Sequence, residues 1–242
     1  MSLRDALARQ EAAWQERPLV RSLYDGWFRL VASRLSGVAG ESVELGSGIG
    51  KFQHVAPTVI ATDVERTAWV DRVVHAEALP YEDGSLANLV LIDVFHHLRS
   101  PSRFLDEAAR ALARGGRVVI LDPFCSPLST VAYRAFHHER VDLRAPAFGD
   151  DEDARGTLDA NQARATLVFF RCADEYARRW PQLPIVERRR LAVLAYPLSG
   201  GFTGRRLVPS AFARPLVALD RLLEPVLAPL TAFRCLVVLE RR

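Results

Sequence analysis

At 242 residues, 49% of them hydrophobic and 25% charged, the chain is long enough for one domain with a substantial core and too apolar for extended disorder. Its 32 basic and 29 acidic residues leave a net charge of only +3, interspersed along the sequence, which argues against a nucleic-acid partner. Three widely spaced cysteines with no C-x-x-C pair give no sign of a disulfide framework or zinc site, and neither an export signal nor eighteen consecutive uncharged apolar residues are present, so a cytoplasmic protein without a membrane span is expected.

Residues 3–16 and 19–36 read as two helices broken by Pro18, the second carrying Leu19, Leu23, Trp27, Leu30, Val31 and Leu35 on one apolar stripe. Tyr24 and Trp27 on that helix serve either as core packing or as pocket lining. An apolar strand with Val43-Glu44-Leu45 then enters the turn Gly46-Ser47-Gly48-Ile49-Gly50, and a second strand, Thr58 to Asp63, ends on a carboxylate. Glycine is required where a turn leaves a buried strand with φ > 0 and where backbone must approach a ligand, so this is a nucleotide-type cofactor site with Asp63 placed to accept hydrogen bonds from ribose hydroxyls. A dinucleotide fingerprint would place a third glycine where Lys51 stands, which disfavours NAD. Glu44 beside the loop suits an ammonium group better than a diphosphate, and S-adenosylmethionine (SAM) carries one.

The phrase VELGSGIG resembles motif I of class I SAM-dependent methyltransferases. Further phrases match later motifs of that family in order: HAEALPYEDGS (His75 to Ser85), LVLIDVFHHL (Leu89 to Leu98) and LARGGRVVILDP (Leu112 to Pro123). The likeness is to the methyltransferase type 11 group, and FHHE (Phe136 to Glu139) and YPLSGGF (Tyr196 to Phe202) are similar to a bacterial subgroup of it. The resemblance implies a mostly parallel, Rossmann-like α/β sheet of seven strands, the last antiparallel and inserted between the fifth and sixth, with N-terminal helices and a cap inserted after strand five. It implies a SAM pocket, releasing S-adenosylhomocysteine, built from Glu44, Gly46, Ser47, Gly48, Asp63, Val64, Ala76, Glu77, Ala78, Leu79 and Asp93. His75 stands where the family often has an Asp that meets adenine, Ala87 where an Asp is usual, and Ala113-Arg114 where Lys-Pro is usual; Glu77, or backbone groups of Ala76 and Ala78, can serve adenine instead.

One domain, 1–242, is expected, with a helical cover (1–40), a SAM-binding core (41–124), the cap (125–182) and the last two strands with an intervening helical segment (183–242). Lys51 to Pro57 permits a helix of about two turns ended by proline, near whose loop Gln53 and His54 fall. Ser100-Pro101 starts a scaffold helix that buries Phe104, Leu105, Ala108, Ala109 and Leu112 and stops at Gly115-Gly116. Glu44, Asp63, Glu77, Asp93 and Asp122 all fall at strand ends, which puts the site on one rim of a sheet buried on both faces. Within the cap, Pro127 to Arg140 looks helical, Ala145 to Asp159 is an acidic loop, Leu167 to Phe170 is an apolar run and Ala173 to Trp180 a short helix. Ile185 to Tyr196 reads as strand six and Cys235 to Glu240 as strand seven. Between them Ser210 to Phe233 is a kinked, leucine-rich helical segment, packed on the body or facing a lipophilic ligand or membrane surface; Arg188, Arg189 and Arg190 read as a solvated strand edge in preference to a phosphate site.

Methyl transfer from a sulfonium needs alignment in a dry pocket and, for an alcohol, a base. His96 and His97, with nearby Asp93, are the catalytic candidates, since neutral imidazole titrates near working pH. Tyr24, Asp122, His138 and Asn161 are the candidate substrate contacts, with Glu139 as an alternative partner to His138. No metal site is expected, because His137 and His138 on a helix diverge by roughly 100°. The expected function is methylation of a small or lipid-linked metabolite on oxygen, nitrogen or carbon, with the segments 125–182 and 197–233 enclosing it and peripheral membrane contact compatible with the sequence. Alternatives are a catalytically silent binding or scaffold protein of the same fold and an NAD-dependent oxidoreductase.

Overall fold

The computed structural model describes residues 3–137, 139–150, 160–202 and 208–242. His138 and the acidic residues 151–153 therefore lie outside the described residues. Helices α1 (Leu3–Glu16) and α2 (Pro18–Ala32) come first, and Pro18 opens α2, where its fixed φ suits the first turn and its missing N–H needs no partner. Leu19, Leu23, Trp27 and Val31 are buried as their spacing requires. The helix stops at Ala32 rather than residue 36. Beyond it Ser36 exchanges two hydrogen bonds with the side chain of the buried Asn88, which ties the connecting link to the sheet.

Seven strands follow: β1 (Glu41–Leu45), β2 (Ile60–Asp63), β3 (Arg72–Val73), β4 (Leu86–Ile92), β5 (Leu112–Pro123), β6 (Ile185–Leu191) and β7 (Arg234–Glu240), in the order β3-β2-β1-β4-β5-β7-β6. The first five are parallel, and β7 runs antiparallel between β5 and β6 as the family resemblance implies. Elements cover both faces, so β4, the second half of β5 and β7 read as nearly continuous apolar runs and are buried almost throughout.

Four expectations about the elements are corrected. Lys51 to Pro57 holds a single tight turn, Phe52–His54, because Gln53 is drawn to Val59 O and Asp71 instead of extending a helix toward the cavity. Helix α3 (Pro101–Ala111), capped by Ser100 Oγ, ends before Gly115, and Leu112 already belongs to β5. Strand β6 ends at Leu191, since Ala192 takes φ +61° and residues Ala195–Ser199 form α7. Helix α4 (Pro127–Phe136) ends at extended His137, so Glu139 lies beyond it and the helical divergence of neighbouring histidines does not apply. The insertion continues through α5 (Arg164–Thr166), a π turn Leu167–Arg171 and α6 (Ala173–Arg179); Ala213–Thr231 form α8, which accommodates Pro225 and Pro229 internally.

Candidate active site

The chain leaves β1 toward β2 and β4 toward β5, on opposite sides, so the carboxyl ends of β1 and β4 open a crevice. Their exits touch: a Cβ on Gly46, at φ +67°, would stand 2.5 Å from Val94 Cγ2 just after β4. Gly46→Ala therefore combines left-handed strain with a steric clash and should cost on the order of 3 kcal/mol in urea unfolding. Gly84→Ala, at a similar φ of +65° but facing open space, should cost only about 1–2 kcal/mol. Equal losses would show that Val94 yields freely.

Ser47 staples the turn to β2: its N–H donates to Thr62 O, and its Oγ accepts from Thr62 N. Asp63 Oδ2 accepts from Gly48 N and Oδ1 from Val64 N, so the carboxylate at the end of β2 is aimed across the glycine turn. Burial pushes the Asp63 carboxyl up, and these backbone donors partly offset it. Glu44 is 4% exposed, and its Oε2 has no hydrogen-bond partner. Burial, against the restraining Ser47 and with Asp63 nearby, raises the Glu44 carboxyl to about 7.

These groups line a cavity of roughly 580 Å³. Its roof is α1, whose Leu7 and Gln10 lie over Gly48 and whose Glu11 pairs with Lys51 at 2.8 Å. At the far end Tyr24 OH donates to Asp93 Oδ2 at 2.5 Å, Asp93 Oδ1 pairs with Arg234 Nη1, and Arg234 Nη2 donates to Tyr24 OH at 3.0 Å and Tyr196 OH at 2.8 Å. Asp93 holds φ +58°, which turns it back into this cluster. Arg234, buried at the first position of β7, has no place in the motif-based site; the only sequence signal was one arginine heading an apolar strand.

His97 lines the cavity, with the buried His96 ring tilted by 40° against it at 4.1 Å between centroids. His96 Nδ1 meets Asp122 Oδ1 at 2.9 Å, and its Nε2 faces Glu139 Oε2 at 3.6 Å. Burial opposes a charge there, yet the two carboxylates outweigh it and raise the imidazole to about 10, while His96 and its histidine neighbours hold Glu139 far below the usual carboxylate range. The two carboxylates thus draw His96 toward its protonated form. His96, His97 and Glu139 offer atoms within 4.8 Å of one another, and they could hold a small cation only after the His96 proton leaves.

The crevice brings Glu44, Gly46, Ser47, Gly48, Asp63, Val64, Ala76, Glu77, Asp93, Tyr24 and His97 together. It does not bring Ala78 or Leu79: Ala78 N donates to His75 O and Leu79 N to Glu107. Glu77 reaches the wall but spends Oε1 on Ser100 N, at the start of α3. Asp122 and Asn161 also stay outside it. Asn161 Oδ1 accepts from Asp142 N and Ala163 N, and its own N–H donates to His96 O, so it is a clamp within the insertion. Among the described residues none of 125–182 lines the cavity, because that segment packs on His96, on Ser102 of α3 and on Phe95; Phe202 supplies the only wall from 197–233. Trp27 packs between Tyr24 and Tyr196 in the core.

Residues 43–120 match the profile of a family described as a methyltransferase domain. The match runs from β1 into β5, over the strands that form the crevice. No curated protein matches the chain. Among solved structures, a SAM-dependent methyltransferase from Thermotoga maritima, described as a possible histamine N-methyltransferase, is 14% identical over 99% of this chain and 98% of its own, with a TM-score of 0.57. A SAM-dependent methyltransferase from Archaeoglobus fulgidus is 13% identical over 92% and 94%, TM-score 0.55. Geranyl diphosphate C-methyltransferase from Streptomyces coelicolor A3(2), solved with Mg2+, geranyl diphosphate and S-adenosylhomocysteine, is 14% identical over 92% and 80%, TM-score 0.54. These likenesses establish that the methyltransferase fold extends over nearly the whole chain. The crevice fits the SAM that the sequence motifs imply: a buried carboxylate with an unpartnered oxygen, a glycine turn and a second carboxylate line one continuous cavity.

Proposed function

We propose that this methyltransferase transfers a methyl group to a small, partly apolar metabolite bound beside His97, Tyr24 and Phe202. The observation that carries this is one cavity whose lining combines the acidic, glycine-rich groups of Glu44 to Gly48 and Asp63 with Tyr24, Phe202 and His97. Bound SAM supplies an electrophilic methyl on a sulfonium. Glu44 and the backbone of Gly46 and Gly48 would hold its amino-acid part, Asp63 and Val64 its ribose, and Ala76 and Glu77 would border adenine. Leu7, Gln10, Trp14 and Phe28 close the cavity from above and exclude water, so alignment supplies much of the rate.

Of the two adjacent histidines, His97 is the group we assign to the acceptor's proton. His96, drawn toward its protonated form between Asp122 and Glu139, sits against His97 from behind. Tyr24 and Asp93 form the wall opposite, their hydrogen bond fixed by Arg234. Free Cys125, Cys172 and Cys235, two of them buried, fit a reducing cytoplasm.

Titration calorimetry with SAM, S-adenosylhomocysteine and NADH tests the cofactor half. The first two should bind, and Asp63→Ala should weaken them by about 1.5–3 kcal/mol, as expected for lost charge-assisted hydrogen bonds. His97→Ala should leave that affinity unchanged while lowering turnover of a responsive acceptor by about 10²–10⁴. Heat from NADH alone would reverse the cofactor, and cofactor binding without turnover on a broad metabolite panel would favour the silent reading.

A further inference from the structure

A surface helix normally turns its acids outward and its apolar side chains inward, and α8 does the reverse. Leu219, Leu222, Val226 and Leu230, spaced at three, four and four residues, form one stripe with exposures of 43, 74, 75 and 62%. The helix is not loosely placed: Asp220 on its opposite side accepts from Leu194 N and Ala195 N, and Glu224 accepts from Ala192 N. Both of its acids are thereby turned toward the body, and the outward stripe carries none. Beside it packs α4, which also faces solvent with apolar side chains, Leu128 at 49%, Val131 at 66% and Phe136 at 90% exposure. Two neighbouring helices with unpartnered apolar faces exceed what scattered surface leucines explain.

Arginines adjoin this face. Arg188, Arg189 and Arg190 on the edge strand β6 and Arg221 on α8 line a cleft of roughly 560 Å³ whose other wall is Pro225 and Pro229 of α8. Glu224 is the one acid in that lining, and Arg189 pairs with it at 3.8 Å. Arg134 and Arg214 add exposed cations on α4 and α8 themselves.

We infer that the α4–α8 face docks on an anionic lipid bilayer, the apolar stripes entering the acyl boundary and the arginine cleft taking lipid phosphates. Apolar area plus juxtaposed cations is the combination that interfacial binding requires, and no helix among the described residues is long and apolar enough to cross a membrane. A second copy is a poorer occupant, since a two-fold pairing through this face would bring the arginine clefts toward each other without an acidic counterpart. The inference does not rest on the identity of the methyl acceptor.

The test is co-sedimentation of the full chain with vesicles of phosphatidylcholine alone and with added phosphatidylglycerol, with S-adenosylhomocysteine binding as the folding control. Binding is expected only to the anionic vesicles and should weaken with salt. It should vanish in Leu222→Ser/Val226→Ser/Leu230→Ser and fall on the order of tenfold in Arg189→Ala/Arg221→Ala, with cofactor binding intact in both. No binding, or equal binding to neutral vesicles, overturns the proposal. So does a dimer in light scattering that the triple serine variant dissolves, which would make the face a self-association surface.

Discussion

Glu44→Gln is expected to make the ligand-free protein more stable and its complex with S-adenosylhomocysteine weaker. Burial lifts the Glu44 carboxyl from 4.5 to about 7, so between those values the folded state holds a proton that the unfolded chain has released. Stability from this group is therefore full below about pH 4.5 and is lost as pH rises toward 7, a swing on the order of 3 kcal/mol. Glutamine carries no titrating proton and removes that slope. The ligand's ammonium group reverses the balance, because it favours the ionised carboxylate; wild-type affinity should rise with pH up to about 7 and then level. The variant should bind more weakly by about 1.5–3 kcal/mol at pH 8, with little pH dependence. Urea unfolding and calorimetry at pH 5 and 8 give both numbers, and an unchanged stability slope in Glu44→Gln would place the titrating group elsewhere, with Asp63 first in line.

The second large effect is at Arg234. Methionine there would leave Asp93 without its cation, Tyr24 and Tyr196 without a donor, and the ring of Tyr196 without the guanidinium that sits 4.5 Å from its centre. Breaking a fully buried ion pair on one side costs about 3–5 kcal/mol, most of it the uncompensated charge left behind, and the loss here should fall toward the lower end because Asp93 keeps 27% of its side chain exposed. Adding Asp93→Asn should then restore part of the loss, and a double-mutant cycle by urea unfolding should show coupling well above the roughly 0.5 kcal/mol seen for independent sites. Additive losses would mean that the two charges are solvated separately.

The glycine turn, Asp63 and the strand order were legible in the sequence because each depends on local chemistry: glycines where φ turns positive, a carboxylate closing a strand, apolar runs that only a doubly covered sheet can bury. Arg234 was not, because in a chain whose basic residues are nearly all arginine one more carries no local mark; only β7, paired with β5, brings it to the rim. His96 was legible as a polar residue near the rim but not as a ring held between two carboxylates, since its partners Asp122 and Glu139 are remote in sequence and the second lies beyond a helix that ends four residues earlier than periodicity suggests. Asn161 and Asp122 were chosen for their position near the rim, and the structure uses their hydrogen-bonding groups on backbone and on His96 instead. The insertion after β5 reads as a lid because it fits no core element; in its described residues Phe169, Tyr176, Trp180 and Phe148 instead pack on one another and on Phe95, outside the cavity. The roof fell to α1.

β7 enters the sheet between strands made earlier, and it brings Arg234 with it. During synthesis the acids of the rim, Glu44, Asp63 and Asp93, leave the ribosome long before the cation that orders the far wall. Until β7 arrives, β5 has an open edge where its partner will lie, β6 has no neighbour in the sheet, and Asp93 faces Tyr24 without a countercharge. The glycine turn is thus built from residues that all precede the cluster's cation by well over a hundred positions in the chain, and the far wall of the cavity is completed only once β7 is in place.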